Sequence, residues 1–278
     1  MTTHRKRISW PDMLDALSGA TRIHFIVGDP IAQVKSPWGM TQAFEAQGRN
    51  AVCIPAHVRP QALTQWFEGV STMHNLDGLI VTVPHKFSAY ALCASATERA
   101  QFVQAANTLR RRSDGRWHGD MCDGLGYVQA LIEQGADPRG KSVLVVGSGG
   151  AGSAIAHAVV VAGARHVHIH DADVRRRDAL IARLQSLAPD RVSAGKPQAM
   201  GHDILINATP TGMQAHDPLP LDLTGLRPQQ TVGCVITSPA VTPLIARARE
   251  QGCPTVTGAD MFGKVREAMV AFLLETAA

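Results

Sequence analysis

The sequence predicts an α/β protein made of two α/β domains, the second of them a doubly wound parallel sheet. Three observations predict this class. The stretch "VLVVGSGGAG" (143–152) joins a valine-rich run to a cluster of glycines near the middle of the 278-residue chain. Segments typical of strands and helices alternate through both halves, as in βαβ units. A segment around residue 114 interrupts that alternation and separates the halves.

The first half begins with strand-like segments at 22–28 ("RIHFIVG"), 51–57 and 77–84, with helical segments such as 40–48 between them. In residues 107–120, the Asp114-Gly115 dipeptide predicts a tight hairpin turn. Two domains meeting near residue 122 therefore account for the pattern, and we expect domains at 1–122 and 123–258.

The second half begins with "KSVLVVG" (141–147), a continuous apolar run typical of a strand buried on both faces. A helix ending at Gly163 follows it. Further strands are predicted at 166–172, 203–209 and 231–237, and further helices at 174–188 and 243–252. The last predicted helix, 259–278, carries an apolar face and is expected to pack back on the first domain. The residues of that face are Met261, Val265, Ala268, Met269 and Phe272.

The amino-acid composition argues against a membrane, secreted or nucleic-acid-binding protein. Charged residues make up 18% and hydrophobic residues 45% of the chain, which is typical of a soluble globular protein. No apolar run approaches the roughly 20 residues that span a bilayer, and the basic start lacks the apolar segment of a secretion signal. The net charge of +4 is too small to indicate nucleic acid. Five scattered cysteines without CxxC spacing favour reduced thiols in a cytoplasmic protein over disulfides or a metal site.

The glycine cluster predicts a dinucleotide site of the Rossmann type. Gly147, Gly149 and Gly152 satisfy G-x-G-x-x-G between a strand and a helix, where free N–H groups and the helix dipole bind phosphates. The predicted cofactor-binding loop consists of Gly147, Ser148, Gly149, Gly150, Ala151 and Gly152.

The residue that discriminates between NAD and NADP is expected at the end of the next strand. Asp171 lies 19 residues beyond Gly152, where a carboxylate can accept hydrogen bonds from ribose hydroxyls and would oppose a 2′-phosphate. Arg175, Arg176 and Arg177 follow it and are able to bind such a phosphate. Because these arginines fall inside the next predicted helix, the sequence favours NAD over NADP.

Five short motifs now stand in one order along the chain. They are "GDPIAQVKSP" (28–37), "VTVPHK" (81–86), "AANTL" (105–109), "GDMCDG" (119–124) and "NATPTGM" (207–213). Together they resemble the shikimate dehydrogenase family, which includes quinate/shikimate dehydrogenases, from about residue 23 to the C-terminus. The resemblance implies a substrate domain followed by a cofactor domain, and reversible oxidation of a ring hydroxyl with a nicotinamide cofactor, as in the chorismate pathway to aromatic amino acids.

The resemblance also implies roles for individual residues. Lys86 corresponds to the acid/base and Asp123 to its carboxylate partner. Asn107 and Thr82 match positions that bind ring hydroxyls, and Ser36 matches one serine of a carboxylate-binding pair. The loop from Asn207 to Met213, with Thr209, is expected beside the nicotinamide.

The chain also departs from the family pattern. Val34 replaces the other serine of the pair, and Ile80 replaces a common asparagine. Thr237 stands where a substrate-contacting tyrosine is often found, and Glu267 is aligned with a substrate-contacting glutamine. The sequence therefore predicts that the catalytic pair is retained while several residues that contact the substrate have changed.

Three functions therefore stay open. The first is an NAD-dependent dehydrogenase acting on shikimate, quinate or a related cyclic hydroxy acid. The second acts on an aminated relative, whose ammonium group would pair with Glu267. The third is a non-catalytic sensor of nucleotide or metabolite. The expected partner is a small molecule, without nucleic acid or membrane, and the protein is expected to be a monomer or a homodimer.

Overall fold

The computed structural model describes residues 17–214 and 216–275, which form two six-stranded sheets. The first sheet has the strand order β2-β1-β3-β5-β6-β4. Its parallel part is β2-β1-β3, and β5 runs antiparallel to both β3 and β6. These strands are β1 (Arg22–Gly28), β2 (Ala51–His57), β3 (Leu76–Val81), β4 (Ser95–Ala96), β5 (Thr108–Arg111) and β6 (Trp117–Asp120). The predicted hairpin joins β5 to β6, with Gly115 at a φ of 79°.

Four helices accompany the first sheet. They are α1 (Ser36–Ala46), α2 (Leu63–Val70), α3 (Lys86–Ala91) and α4 (Glu98–Val103), with a 3-10 turn at Pro60–Ala62. Of these, α3 directly follows β3, so the "VTVPHK" motif runs from the carboxyl end of a central strand into a helix N-terminus.

The second sheet is parallel throughout and has the order β12-β11-β10-β7-β8-β9. Its strands are β7 (Ser142–Val146), β8 (His166–His170), β9 (Val192–Ala194), β10 (Ile204–Asn207), β11 (Thr231–Cys234) and β12 (Thr255–Val256). The predicted doubly wound sheet is confirmed. The chain proceeds outward in opposite directions from β7 and β10, which opens a crevice at their carboxyl ends.

Five helices belong to the second half or connect the sheets: α5 (Asp123–Glu133), α6 (Gly150–Val161), α7 (Val174–Gln185), α8 (Pro243–Glu250) and α9 (Gly258–Leu274). Helix α5 packs against both α6 and α9. Glycines allow both approaches: a β-carbon at Gly124 would overlap the Ala154 carbonyl oxygen of α6, and one at Gly126 would lie 2.6 Å from the backbone nitrogen of Val265 in α9. Helix α9 also contacts α1 and β5, so it returns to the first sheet; the domain boundary near residue 122 stays a prediction.

One hydrophobic cluster runs through both halves and supports the region between the sheets. It includes Ile26 and Ile80 of the first sheet, Tyr127 of α5, Val145 of the second sheet and Val265 of α9. Residues from both sheets and from the helices between them therefore pack into one hydrophobic core. Within residues 17–214 and 216–275, no helix combines the length and the apolar character that crossing a bilayer requires.

Candidate active site

A cleft of about 660 Å³ lies between the two sheets, beside the carboxyl ends of β3, β7, β10 and β11. The first half contributes residues of the β1–α1 and β3–α3 loops, and the second half contributes the glycine-rich loop and the loops after β10 and β11. Of the predicted site residues, it is lined by Ser36, Thr82, Lys86, Asp123, Gly147, Gly149, Gly150, Ala151, Asp171, Thr209, Met213 and Thr237.

Lys86 and Asp123, which both line the cleft, form an ion pair. Each is the first residue of its helix, and the Lys86 ammonium donates to one Asp123 carboxylate oxygen. Only 15% of the lysine side chain and 6% of the aspartate side chain are exposed. The lysine stem crosses the glycine-rich loop so closely that a β-carbon at position 150 would lie 2.9 Å from Cβ of Lys86. The structure thus brings the predicted pair together, against the predicted cofactor loop.

Asn107 is fully buried beneath this pair. Its Nδ2 donates to the other Asp123 oxygen at 2.7 Å, while its Oδ1 accepts from the Cys122 backbone at 2.9 Å and the Thr108 hydroxyl at 3.1 Å. These partners fix the amide orientation, because a flipped amide would direct donors at donors. Its contact with a substrate hydroxyl stays a prediction.

The glycine-rich loop has the geometry of a phosphate-binding turn. Gly147 adopts a φ of 105°, a conformation that favours glycine. A side chain at Gly152 would overlap the Gly147 carbonyl oxygen, so this glycine allows α6 to approach the strand. No side chain caps the N-terminus of α6, which leaves its first-turn N–H groups available to an anion. Ser148 and Gly152 support the loop from beneath instead of lining the cleft.

Asp171 lies at the cleft but is buried, with its carboxylate surrounded by donors of the protein. Its carboxylate accepts from the Ser148 backbone (2.6 Å), the Ser148 hydroxyl (2.7 Å), the Asp173 backbone (2.8 Å) and the Arg176 guanidinium (2.8 and 3.0 Å). Burial alone would raise the pKa of Asp171, but these hydrogen bonds outweigh it and lower the pKa to about 2. The carboxylate is therefore ionised and already saturated with donors.

Asn207 shapes the loop that follows β10. Its side chain is fully buried; it accepts from the Thr209 backbone at 3.1 Å and hydroxyl at 2.7 Å, and donates to the Thr211 carbonyl at 3.0 Å. Asn207 itself does not line the cleft, whereas Thr209 and Met213 do.

The placement of Glu267 requires a correction. Its side chain is 64% exposed, lies 3.5 Å from Lys264, and faces a separate surface depression between α1 and α9. The residues of α9 that line the cleft are Met261, Phe262, Val265 and Met269. Two residues beyond Val265 is about 200° around a helix, so Glu267 points away. The sequence-based alignment missed Val265, although the apolar stripe at 261, 265 and 269 was the signal for this face.

The described residues contain no group of three or more histidine, cysteine, aspartate or glutamate side chains placed to hold a metal ion.

Known proteins resemble this chain over most of its length. A shikimate dehydrogenase (NADP(+)) from Rhodospirillum rubrum is 33% identical over 252 residues, which cover 88% of this chain and 89% of that protein. A solved shikimate dehydrogenase in complex with NADP+ superimposes with a TM-score of 0.84 at 25% identity, covering 93% of this chain and 91% of that one. The shikimate 5-dehydrogenase from Listeria monocytogenes, solved with shikimate and NAD, gives a TM-score of 0.82 at 26% identity, covering 92% and 93%.

The predicted preference for NAD is wrong by this comparison. Curated relatives between 31% and 35% identical are named for NADP(+). The structure supplies a physical reason for the error. The prediction assumed that the Asp171 carboxylate faces a ribose, but its oxygens are bound by Ser148, Asp173 and Arg176. The charge opposed to a 2′-phosphate is thereby neutralised by an arginine that itself lines the cleft.

The sequence model of the shikimate dehydrogenase substrate binding domain matches residues 26–109. That range contains Ser36, Thr82, Lys86 and Asn107, and the relatives extend the likeness through the glycine-rich loop to the second sheet. With the fold, the order of motifs and a 33% identical relative in agreement, this chain belongs to the shikimate dehydrogenase family.

Proposed function

We propose that this protein is an NADP-dependent dehydrogenase that reversibly oxidises a ring hydroxyl of shikimate, quinate or a related cyclic hydroxy acid. The observation that carries the proposal is the Lys86–Asp123 pair, which lies in the same cleft as the glycine-rich loop. The names of the curated relatives support shikimate as the substrate class and NADP(+) as the cofactor, and the solved complex with shikimate supports the substrate class.

The cleft fits a dinucleotide. The uncapped N-terminus of α6 and the open space around Gly149 offer a place for phosphates. Thr209, Met213 and Thr237 of the loops after β10 and β11 line the cleft and would flank the nicotinamide. When bound, the nicotinamide takes up or supplies the hydride of the reaction.

The chain's own residues handle the proton. In the oxidative direction, the hydroxyl proton passes from oxygen to the neutral Nζ of Lys86, and the hydride leaves the carbon that bears this hydroxyl. In reverse, the Lys86 ammonium returns that proton to the carbonyl oxygen. Asp123 accepts a hydrogen bond from Nζ, which orients the lysine toward the reacting hydroxyl. Asn107 holds the carboxylate from below.

The choice of NADP is supported by Arg176. Its side chain is 46% exposed and lines the cleft, with the guanidinium bound to Asp171. A planar guanidinium is well suited to a phosphate, and the Asp171 contact holds it in place. The hypothesis of an aminated substrate depended on an ion pair between its ammonium group and Glu267. Glu267 faces a different surface and does not supply that partner.

The test is an assay of shikimate and quinate with NADP and with NAD. We expect turnover with NADP of at least one acid. Lys86→Met should lower kcat by on the order of 10²-fold or more while NADP affinity changes little. Lys141→Met, at an exposed lysine before β7, is the matched control and should leave both unchanged. Turnover of neither acid, nor of any deoxy analogue of shikimate, by the native protein would favour a non-catalytic sensor and overturn the proposal.

A further inference from the structure

Part of the cleft surface is hydrocarbon. Val34, Ile80, Val265 and Met269 line it together, and we call them the apolar wall. Ile80, Val265 and Met269 belong to the hydrophobic cluster that forms the main core, and Val34 packs against that cluster. The wall is therefore an extension of the core into the cleft, held rigidly from behind.

The apolar wall belongs to the substrate side of the cleft. Val34 precedes α1, Ile80 lies in β3, and the other two are on α9. The glycine-rich loop and the loops after β10 and β11, which suit the cofactor, come from the second sheet. Because Lys86 lines the same cleft, we expect a ring that reaches it from the first-sheet side to meet the wall.

The apolar wall itself offers no strong hydrogen-bond partner to a ring hydroxyl. The side chains of Lys86 and Asp123 bind each other and are needed at the reacting hydroxyl. Ser36 and Thr82 add one hydroxyl each. Gln33 also lines the cleft but already donates to the Pro30 carbonyl, and Lys35 lines it as an exposed residue. Shikimate carries a carboxylate and three hydroxyls, and quinate carries four hydroxyls. A hydroxyl buried against hydrocarbon loses its water without gaining a partner, and each such loss weakens binding by roughly ten- to hundredfold.

We propose that the cleft selects a cyclic hydroxy acid with fewer hydroxyl groups than shikimate, whose unsubstituted ring edge lies against the apolar wall. This inference rests on the proposed function, since it names the substrate class of the same site. The reacting hydroxyl lies at Lys86 and Asp123, and the carboxylate has Ser36 as one donor.

The first experiment compares kcat/KM, with saturating NADP, for shikimate and for the same ring carboxylate lacking either or both of its non-reacting hydroxyls. We expect at least one deoxy compound to exceed shikimate by tenfold or more. Shikimate performing as well as every deoxy compound would overturn the proposal.

Near-isosteric variants test whether the wall causes the selection. Val34→Thr and Val265→Thr each place a hydroxyl in the wall with little change of volume. Each should lower the deoxy-to-shikimate ratio of kcat/KM by about threefold or more. Val161→Thr, at a side chain that is 67% exposed on α6, is the control and should keep the wild-type ratio. A ratio is insensitive to the folded fraction, so destabilisation does not obscure the result. Unchanged ratios in both wall variants would contradict the proposal.

A binding measurement separates this proposal from the proposed function. Calorimetric titration of the NADP-bound protein with shikimate and with the deoxy compounds needs no turnover. Tighter binding of a deoxy compound without any turnover supports the apolar wall and rejects the dehydrogenase. Turnover with shikimate bound most tightly supports the dehydrogenase and rejects the wall.

Discussion

Asn107 shows how one residue can connect a sheet to a reacting group. It precedes β5, and its amide reaches the Asp123 carboxylate on one side and the Cys122 backbone on the other. Asp123 in turn holds Lys86. The sequence, with its family resemblance, singled out all three residues, but the internal hydrogen bonds of Asn107 could not be predicted, since they depend on where β5, β6 and α5 meet. The same holds for Asp171, whose position after a strand is visible in the sequence while its direction is not.

Arg176 provides the residue-scale prediction. Arg176→Gln should raise the Kd of NADP by about 10- to 100-fold, because a charged hydrogen bond to the 2′-phosphate is lost and the Asp171 charge is left uncompensated. The Kd of NAD should change less than about threefold. Both constants are measured by titration at one salt concentration, since salt screens such contacts.

The matched control for this prediction is Arg177→Gln. Arg177 is the next residue of α7, pairs with Asp178 at 2.8 Å and does not line the cleft. It should leave both constants unchanged. Equal weakening of the two nucleotides by Arg176→Gln would show that Arg176 does not read the 2′-phosphate.

At the scale of elements, the contact of α6 with the lysine stem can be tested. In Gly150→Ala, the new methyl would lie 2.9 Å from Cβ and 3.0 Å from Cδ of Lys86, so the lysine must shift. A displacement of about 1 Å at a reacting group can cost on the order of 10²-fold in rate. We expect kcat at saturating NADP to fall tenfold or more, with little change in melting temperature.

Gly263→Ala is the control for that change. Gly263 lies within α9, and a β-carbon there would meet no atom within 4 Å. Alanine favours a helix interior by up to about 1 kcal/mol, so this variant should be slightly stabilised with wild-type kcat. Retention of wild-type kcat by Gly150→Ala would mean that the approach of loop and lysine is not tight.

The strands and helices were predictable where a local pattern determines them. The valine-rich run of β7 and the glycines before α6 indicate a buried strand and a phosphate-binding turn without tertiary information. Helix α9 shows the limit of prediction from a local pattern. Its apolar stripe predicted the buried face correctly, yet Glu267 was assigned to the site because an alignment alone does not fix the helix phase. Glu267 lies two residues after Val265, so its side chain points away from the cleft that Val265 lines.

At the scale of the whole molecule, the core that joins the two halves contains a buried histidine. His24 of β1 is 2% exposed and packs against the tilted ring of Phe44 with ring centroids 4.3 Å apart. Its Nδ1 has no hydrogen-bond partner in the part of the chain described. Burial lowers the pKa of His24 to about 4; Asp77 opposes the shift and Arg22 adds to it. The histidine is therefore neutral in the folded protein at pH 7 and has to remain so.

This predicts acid sensitivity of the free energy of unfolding. Between about pH 6.5 and pH 4, the unfolded chain binds a proton at position 24 that the folded protein does not. The contribution to stability is complete above pH 6.5 and falls by about 1.4 kcal/mol per pH unit as the pH drops through that window. His24→Leu should remove about one proton from the uptake on unfolding, measured as the slope of unfolding free energy against pH in urea titrations. His168, whose pKa is also lowered to about 4, should keep a residual slope in that variant. His74→Leu, at an exposed histidine, should keep the wild-type slope, and an unchanged slope in His24→Leu would show that His24 does not couple the core to pH.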